Sequence, residues 1–286
     1  DCLLSRGLGD VYKRQTDDCE ITMEANPATV EHAPFHEYLA VGINRLSLGV
    51  QSFQTQKLAA LGRIHNPQQA LLAIANAQQA GFKKLNVDLM HGLPNQTLTD
   101  ALSDLQQAID LGVSHISWYQ LTIEPNTVFY RNTPILPDDE ILVDIFEQGA
   151  QLLQANGFVQ YEVSAWSRQA DFQPSQHNLN YWQFGDYLAI GAGAHGKVTR
   201  PDGIYRFSKS RLPKDYRVNQ SAIGWQAIEP SDLPFEFMMN GLRLKNGVPK
   251  QFWTQRTGLA WSVIEPQLIK LHNRGLVESV SYTHLR

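Results

Sequence analysis

Four apolar segments in the first half of the chain each end in a cluster of polar residues, and this pattern limits the possible folds more than any other feature. Segments of helical spacing separate them, which is typical of a parallel α/β sheet. Ligands bind at the carboxyl ends of the strands in such sheets. We therefore expect a site among the polar residues at these ends, namely Glu24, Asn26, Gln51, Asp88, His91 and Thr122. The four segments are EITMEANP (20–27), NRLSLGVQSF (44–53), KLNVDLMHGLP (84–94) and HISWYQLTIEP (115–125).

The segments between the strands begin and end with residue types that favour helix ends. Residues 67–80 begin with Pro67 and stop before Gly81, and Thr97 with Asp100 forms a capping pair at the start of the next helix. The alternation continues beyond the fourth strand. We expect further helices over 31–41 and 138–156, and a strand over 158–166.

The amino-acid composition changes beyond Trp166, and the pattern changes again near the end of the chain. Residues 176–196 are rich in Gln, Asn, His and aromatic side chains, and we expect a polar loop from there through residue 220. Three short helical segments follow from Pro234 onward, which indicates a small helical or winged-helix-like module. We expect one α/β region with the segment that follows it over 16–210, a C-terminal helical domain over 211–280, and foreign tails over 1–15 and 281–286.

Composition excludes several classes of protein. With 43% hydrophobic residues, 18% charged residues and a net charge of −4, the chain has ordinary globular composition and no basic run for nucleic acid. It has no apolar stretch of the roughly 20 residues that a membrane helix needs, and no signal-peptide pattern, so we expect a cytoplasmic protein. Cys2 and Cys19 are the only cysteines, which excludes a disulfide framework and, taken alone, a four-ligand zinc or iron–sulfur site.

Single residues of the first half have two interpretations each. Glu24 and Asn26 can bind hydroxyl or ammonium groups, but they are also common at helix caps and surface turns. Arg63 has a planar fork that suits a carboxylate or phosphate, whereas an exposed arginine is usually solvated. Asp88 lies inside an apolar strand, and a buried carboxylate is costly unless it has a partner or a ligand.

The second half offers two further candidates. In HNLNYW, His177 and Tyr181 are four residues apart and share one helical face next to Trp182. An imidazole beside aromatic rings suits a planar, metal-bearing macrocycle, although an aromatic packing cluster would have the same sequence. The small residues of GAGAHG (191–196) bring the backbone close to a flat ligand, with His195 near the end.

Taken together, these segments resemble the radical S-adenosylmethionine proteins related to oxygen-independent coproporphyrinogen III oxidase, a family that includes haem chaperones. The likeness runs in order from Asp18 to Ser279. It implies an α/β fold, a partial (β/α) barrel followed by a small helical domain. The motifs that carry it are EITMEANP, NRLSLGVQSF, LGRIH, DLMHGLP, SWYQLTIEPNT, HNLNYW and GDYLAIGAGAHG.

The resemblance also assigns residues to ligands. It implies that His177, Tyr181 and Trp182 contact haem, with His177 as the iron ligand. It implies that S-adenosyl-L-methionine is bound by four residues and lined by three more. The four are Glu24, Gln51, Arg63 and Asp88, and the three are Met90, Thr122 and His195.

One departure from the family bears on function. The family motif CxxxCxxC, which holds a [4Fe–4S] cluster, is missing here, so we expect this chain to lack the first two barrel strands and to be inactive as a radical enzyme by itself. The resemblance implies a haem chaperone that delivers haem to acceptor proteins. The alternatives are an enzyme that oxidatively decarboxylates coproporphyrinogen III in porphyrin biosynthesis, and a non-catalytic interaction protein.

Overall fold

The computed structural model describes residues 19–28, 34–221, 223–281 and 284–285. The chain divides into two compact units, and neither is continuous in sequence. The first unit runs to Val159 and includes Ser164–Gln173, and the second contains Gln160–Val163 and all residues from Pro174 onward. The predicted division, near residue 210, lies inside the second unit.

The first unit alternates strands and helices, as the sequence predicts. Two of the predicted signals stand at helix ends: Thr97 and Asp100 form both hydrogen bonds of a capping box, and Gly81 ends its helix in the left-handed conformation. Its elements in chain order are β1 (Thr22–Ala25), α1 (Phe35–Ala40), β2 (Arg45–Gln51), α2 (Thr55–Ala60), α3 (Pro67–Ala80), β3 (Lys84–His91), α4 (Leu98–Asp110), β4 (His115–Gln120), α5 (Val128–Arg131), α6 (Asp139–Ala155), the start of β5 (Phe158–Glu162) and β6 (Ala165–Arg168).

The sheet of the first unit is mixed and open. Strands β1 to β4 are parallel neighbours in sequence order, and β6 pairs with β4 in the antiparallel direction. The α/β prediction is confirmed, and the described strands do not close into a barrel. The expected single strand 158–166 is wrong, because the chain turns at Val163–Ser164 and forms two strands. This turn contains no Gly, Pro or Asn.

Residues of each strand alternate between an apolar and a polar face of the sheet. The apolar face packs in one core with helices α3, α4 and α6, through buried side chains such as Leu46, Val87 and Trp118. Burying this face is the main stabilising contribution, at roughly 25 cal/mol per Å² of apolar surface. The opposite face carries the polar residues, and its register places the candidate site.

The second unit contains two small sheets and several short helices. The expected polar loop through residue 220 is wrong, because an antiparallel sheet of three strands, over 195–200, 203–208 and 223–227, occupies part of this region. Its first hairpin turns at Pro201–Asp202, a turn signal in the sequence. The elements are α7 (Gln176–Trp182), β7 (His195–Arg200), β8 (Gly203–Ser208), α8 (Pro213–Val218), β9 (Ile223–Ala227), α9 (Leu233–Gly241), β10 (Val248–Pro249), α10 (Lys250–Thr257), α11 (Glu265–Asn273), β11 (Ser279–Ser281) and β12 (His284–Leu285).

The core of the second unit is aromatic. Trp253 and Phe237 meet edge to face with ring centroids 5.4 Å apart, and Phe184 packs against Phe237 at 5.7 Å. Helices α9, α10 and α11 and the sheet β10-β12-β11 form from Leu233 onward, as expected for the C-terminal module. In the part of the chain that the structure describes, no helix is both long and apolar enough to cross a membrane.

Candidate functional site

A row of polar residues crosses the sheet of the first unit. The register aligns Glu24 with Ser47, Ser47 with Asn86, Asn86 with His115, and His115 with Ser167. Register partners in a sheet lie on the same face, so five neighbouring strands each contribute one polar side chain to this polar row.

Asn86 is the hub of the hydrogen bonds in the polar row. Its amide nitrogen donates to Ser47 Oγ at 2.7 Å and to Asp88 Oδ1 at 2.8 Å. Its amide oxygen accepts from Ser117 Oγ at 3.1 Å and lies 2.6 Å from His115 Nδ1. Since Asn86 is buried, these four contacts satisfy an amide that would otherwise be costly to bury.

Asp88 has the partners that its position in the strand requires. Ser47 Oγ donates to Asp88 Oδ2 at 3.1 Å, while Asn86 binds the other oxygen. Burial raises the pKa of the Asp88 carboxyl, the two hydrogen bonds oppose that rise, and the charge of Glu24 adds to it. A carboxyl with a raised pKa among oriented donors is a feature of binding and catalytic sites.

Gln51 ends β2 in a conformation that side chains rarely adopt. Its φ is +70° and the residue is only 4% exposed. Tyr119, at the end of β4, donates its hydroxyl hydrogen to Gln51 Oε1 at 2.9 Å. A left-handed non-glycine residue costs about 1 kcal/mol or more, and such residues concentrate at functional sites.

The sequence analysis missed Tyr119, whose phenol group interacts electrostatically with three of the predicted residues. Burial raises the pKa of its phenol, the charges of Asp88 and Glu24 raise it further, and Arg63 lowers it. Met90 is the register partner of Tyr119 on β3. The sequence feature that could have identified Tyr119 is its position, one residue before the end of a strand and two residues after Ser117.

The remaining predicted residues of the first unit differ in position. Glu24, Arg63 and Thr122 are exposed, on β1 and in the segments that follow α2 and β4. Asn26 accepts a hydrogen bond from the Ala28 amide at 3.2 Å, which is a local turn contact. The three exposed residues are therefore accessible to a ligand.

His91 does not lie on the polar face of the sheet, contrary to our expectation that it belongs to the site at the strand ends. Its ring lies against Trp118, with centroids 4.5 Å apart, on the helix-covered face. Burial lowers the pKa of His91 to about 4, so the imidazole is neutral at pH 7. The physical reason is parity, since His91 follows Asp88 by three residues and therefore points to the opposite face.

The second unit contains a cavity of about 320 Å³ that brings together three of the predicted residues: Tyr181, Trp182 and His195. Tyr181 lies on α7, and its ring meets that of Tyr187 edge to face at 4.6 Å. His195 opens β7 and is exposed. The other residues that line the cavity are Phe184, Tyr187, Lys197, Arg206 and Asn240.

His177 lies one turn before Tyr181 on α7, as the spacing predicts. The two rings meet edge to face with centroids 5.6 Å apart. His177 Nδ1 lies 3.2 Å from Ser175 Oγ, and Ser175 is also the N-cap of α7. A partner on one ring nitrogen fixes the orientation of the imidazole.

Two cations of this cavity were missed by the sequence analysis. Lys197 Nζ bonds Asp186 Oδ1 at 3.0 Å and lies 4.3 Å from the centre of the Phe184 ring. Arg206 pairs with Glu236 through both terminal nitrogens. The sequence marks these two residues only weakly as members of a site, because lysine and arginine in an alternating strand usually face water.

The described residues do not fit a metal cluster. They include one cysteine, Cys19, which is exposed. Among these residues there is no group of three or more His, Cys, Asp or Glu side chains that could hold a metal ion.

Comparison with known families gives two matches along the chain. Residues 4–108 match the model of the radical SAM superfamily, and residues 228–280 match the model of the HemN C-terminal domain. The first match begins inside the segment 1–15 that we expected to be foreign. The second lies within the predicted helical domain, 211–280.

The chain is also similar to curated proteins. It is 56% identical over 228 residues to "Heme chaperone HemW" of Escherichia coli, covering 79% of this chain and 60% of that protein. It is 57% identical over 233 residues to the protein of the same name from Haemophilus influenzae, covering 81% of this chain and 60% of that protein. The chain thus spans about 60% of the length of these curated relatives.

Among solved structures, the fold is similar to that of the coproporphyrinogen III oxidase HemN from Escherichia coli, described as a radical SAM enzyme. The TM-score is 0.75 at 18% sequence identity, covering 99% of this chain and 70% of that one. At this identity the likeness concerns the fold.

Proposed function

Because this chain belongs to the radical S-adenosylmethionine superfamily, we propose that it is part of a haem chaperone, which binds haem and delivers it to acceptor proteins. The observation that carries the proposal is the identity of 56% and 57% to two proteins named as haem chaperones. The likeness to the oxidase is 18% identical and concerns the fold, so the chaperone is the interpretation that we favour.

The geometry of the second unit supports haem as the cargo. His177 and Tyr181 lie on one face of α7, and Tyr181 with Trp182 lines a cavity with aromatic walls. Flat aromatic walls complement a porphyrin plane, and an oriented imidazole is a common iron ligand. We assign the axial position to His177, whose Nδ1 lies 3.2 Å from Ser175 Oγ.

Haem titration of the chain tests this function. We expect a Soret shift on adding haem to the chain, and a weaker, differently positioned Soret band in His177→Ala. His36→Ala, an exposed histidine of α1 in the first unit, is the matched control and should behave like the parent. Equal spectra for His177→Ala and the parent would remove His177 from the site, and no Soret change in the parent would reject the haem-binding function.

The same proposal gives the first unit a cofactor, S-adenosyl-L-methionine. Glu24, Gln51, Arg63 and Asp88 would bind it, with Met90 and Thr122 beside them. Two observations fit this group: Asp88 is held by Ser47 and Asn86 with a raised pKa, and Gln51 is fixed in a strained conformation by Tyr119. A carboxylate and a fixed amide suit ribose hydroxyls and an ammonium group, and the Arg63 fork suits a carboxylate. In the superfamily, this cofactor supplies radical chemistry.

His195 was expected to line the S-adenosylmethionine pocket. It lines the cavity of the second unit together with Tyr181 and Trp182, and its assignment to the cofactor stays a prediction. The [4Fe–4S] cluster of the superfamily does not fit the described residues, since they offer Cys19 alone and no three-ligand group.

Arg63→Lys in the full-length, cluster-bearing protein tests the cofactor site. We expect weaker S-adenosylmethionine binding by calorimetry, by about 1–3 kcal/mol, because a lysine loses the two-pronged contact with a carboxylate. Arg131→Lys, on α5, is the control for a change of arginine elsewhere on the surface. Unchanged affinity in Arg63→Lys would mean that Arg63 is a solvated surface residue.

A further inference from the structure

The cavity of the second unit combines aromatic walls with two positive side chains. Tyr181, Trp182, Phe184 and Tyr187 provide the aromatic part, and Lys197 and Arg206 provide the charges. Its volume of about 320 Å³ is near the lower end of the range for small-molecule sites. A cavity of this size has room for one edge of a porphyrin.

Lys197 is an unusual residue to find in such a wall. Its side chain is only 3% exposed, and its ammonium group contacts the Phe184 ring. Burial lowers the pKa of Lys197, and the bond to Asp186 opposes that effect. An ammonium group in a desolvated site attracts an incoming anion more strongly than one in water.

Asp186, the ion-pair partner of Lys197, is also bound by hydrogen-bond donors of another residue. Asp186 also accepts hydrogen bonds from the Thr199 amide at 2.8 Å and the Thr199 hydroxyl at 2.9 Å. The ammonium group has three N–H donors, and the bond to Asp186 uses one of them. Lys197 therefore retains capacity to bind a second carboxylate.

Arg206 has the same property. Its two terminal nitrogens contact Glu236, but a guanidinium group has five N–H donors in a planar fork. It lies on β8, next to β7 and opposite Lys197 in the register of the sheet. Register partners share one face of the sheet, so the two cations lie side by side at the cavity.

We propose that Lys197 and Arg206 are the carboxylate anchors of the haem site, and that they bind the propionate groups of the porphyrin within this cavity. The proposal rests on the proposed haem-binding function. It names the part of the ligand that the second unit recognises: the acidic edge, in addition to the iron and the ring plane. A planar ligand without carboxylates would then bind poorly.

The test compares haem with haem dimethyl ester, which keeps the iron and the ring but has no free carboxylates. Both are titrated into the full chain and followed by the Soret band. We expect haem to bind at least about tenfold more tightly than the ester, since each charged hydrogen bond contributes on that order. In Arg206→Gln and Lys197→Met this preference should shrink toward one, through weaker binding of haem with little change for the ester.

Lys250→Met is the matched control. Lys250 also lies over an aromatic ring, that of Trp261 at 4.1 Å, but it does not line the cavity. Its variant should keep the full preference for haem. Circular dichroism checks the fold of each variant, and if Lys197→Met does not fold, Arg206→Gln and the ester comparison decide.

The outcomes separate the two proposals. Equal affinity for haem and its ester, or an undiminished preference in the folded cavity variants, would overturn the role of Lys197 and Arg206 while leaving haem binding intact. Failure of the parent chain to bind haem or its ester would overturn both proposals.

Discussion

The hydroxyl group of Tyr119 donates a hydrogen bond to the side-chain oxygen of Gln51 over 2.9 Å, and this contact joins the ends of two strands that are not neighbours in the sheet. Strand β3 lies between them. The contact fixes the amide of a residue whose backbone is left-handed. It therefore holds a strained residue in place at the edge where the predicted cofactor residues lie.

The strain at Gln51 predicts an inverted preference between glycine and alanine. Both Gln51→Gly and Gln51→Ala lose the contact with Tyr119, but only alanine retains the penalty of φ +70°. We expect Gln51→Gly to be more stable than Gln51→Ala by about 1 kcal/mol in urea unfolding. At Val159, a regular strand position, the order should be the usual one, with alanine more stable. Alanine above glycine at both positions would contradict the strain.

Asp88 should lower the stability of the protein at neutral pH. Burial raises its folded pKa above 3.8, so the ionised carboxylate is less favourable in the folded than in the unfolded state. Its contribution is neutral below pH 3.8 and becomes destabilising as the pH rises through the folded pKa. We expect Asp88→Asn, which keeps an acceptor for the Asn86 amide and turns a donor toward the Ser47 hydroxyl, to be more stable than the parent at pH 7 and to lose that advantage near pH 3. A less stable variant at pH 7 would refute this account.

His91 should contribute to acid sensitivity in the opposite sense. Burial lowers its pKa from 6.5 to about 4, so its neutral form is favoured in the folded state. The stability that depends on this form is fully present above pH 6.5 and is lost as the pH falls toward 4, by up to roughly 3 kcal/mol at 1.36 kcal/mol per unit. His91→Phe keeps a ring against Trp118 and cannot titrate. Unfolding at pH 7.5 and 4.5 should show a smaller loss for this variant than for the parent, and equal losses would contradict the prediction.

Gly149 on α6 should not tolerate a side chain. A Cβ atom at this position would overlap Cη2 of Trp118, so the indole must move. Alanine usually stabilises a helix relative to glycine by about 1 kcal/mol, but overpacking costs typically 1–3 kcal/mol. We expect Gly149→Ala to lower the free energy of unfolding, whereas Gln148→Ala, at the exposed neighbouring position, should not. A stabilised Gly149→Ala would show that the indole relaxes at little cost.

The sequence predicts the elements of the first unit well where local chemistry marks their ends. Pro67, Gly81 and the Thr97–Asp100 pair stand at helix ends in the structure as they do in the pattern. The turn at Val163–Ser164 has no such mark. There the Val163 amide donates to the Arg243 carbonyl at 2.9 Å, so a distant residue satisfies the turn, and no local signal could predict it.

For the candidate site too, some features follow from the sequence and others do not. That Asp88 needs partners follows from its apolar strand, and the structure provides Ser47 and Asn86. Which residues become those partners depends on the register between strands, which the sequence of one strand does not fix. His91 is different, because its odd spacing from Asp88 was enough to place it on the opposite face.

The polar row also restricts how related chains can change length during divergence. Each of its five positions, from Glu24 to Ser167, is tied to the next by strand register. Inserting or deleting a single residue inside a strand would turn its polar side chains into the apolar core and bring apolar ones to the site. Relatives should therefore differ by substitution within these strands and in length only in the connections, so the row provides fixed reference columns for aligning distant sequences.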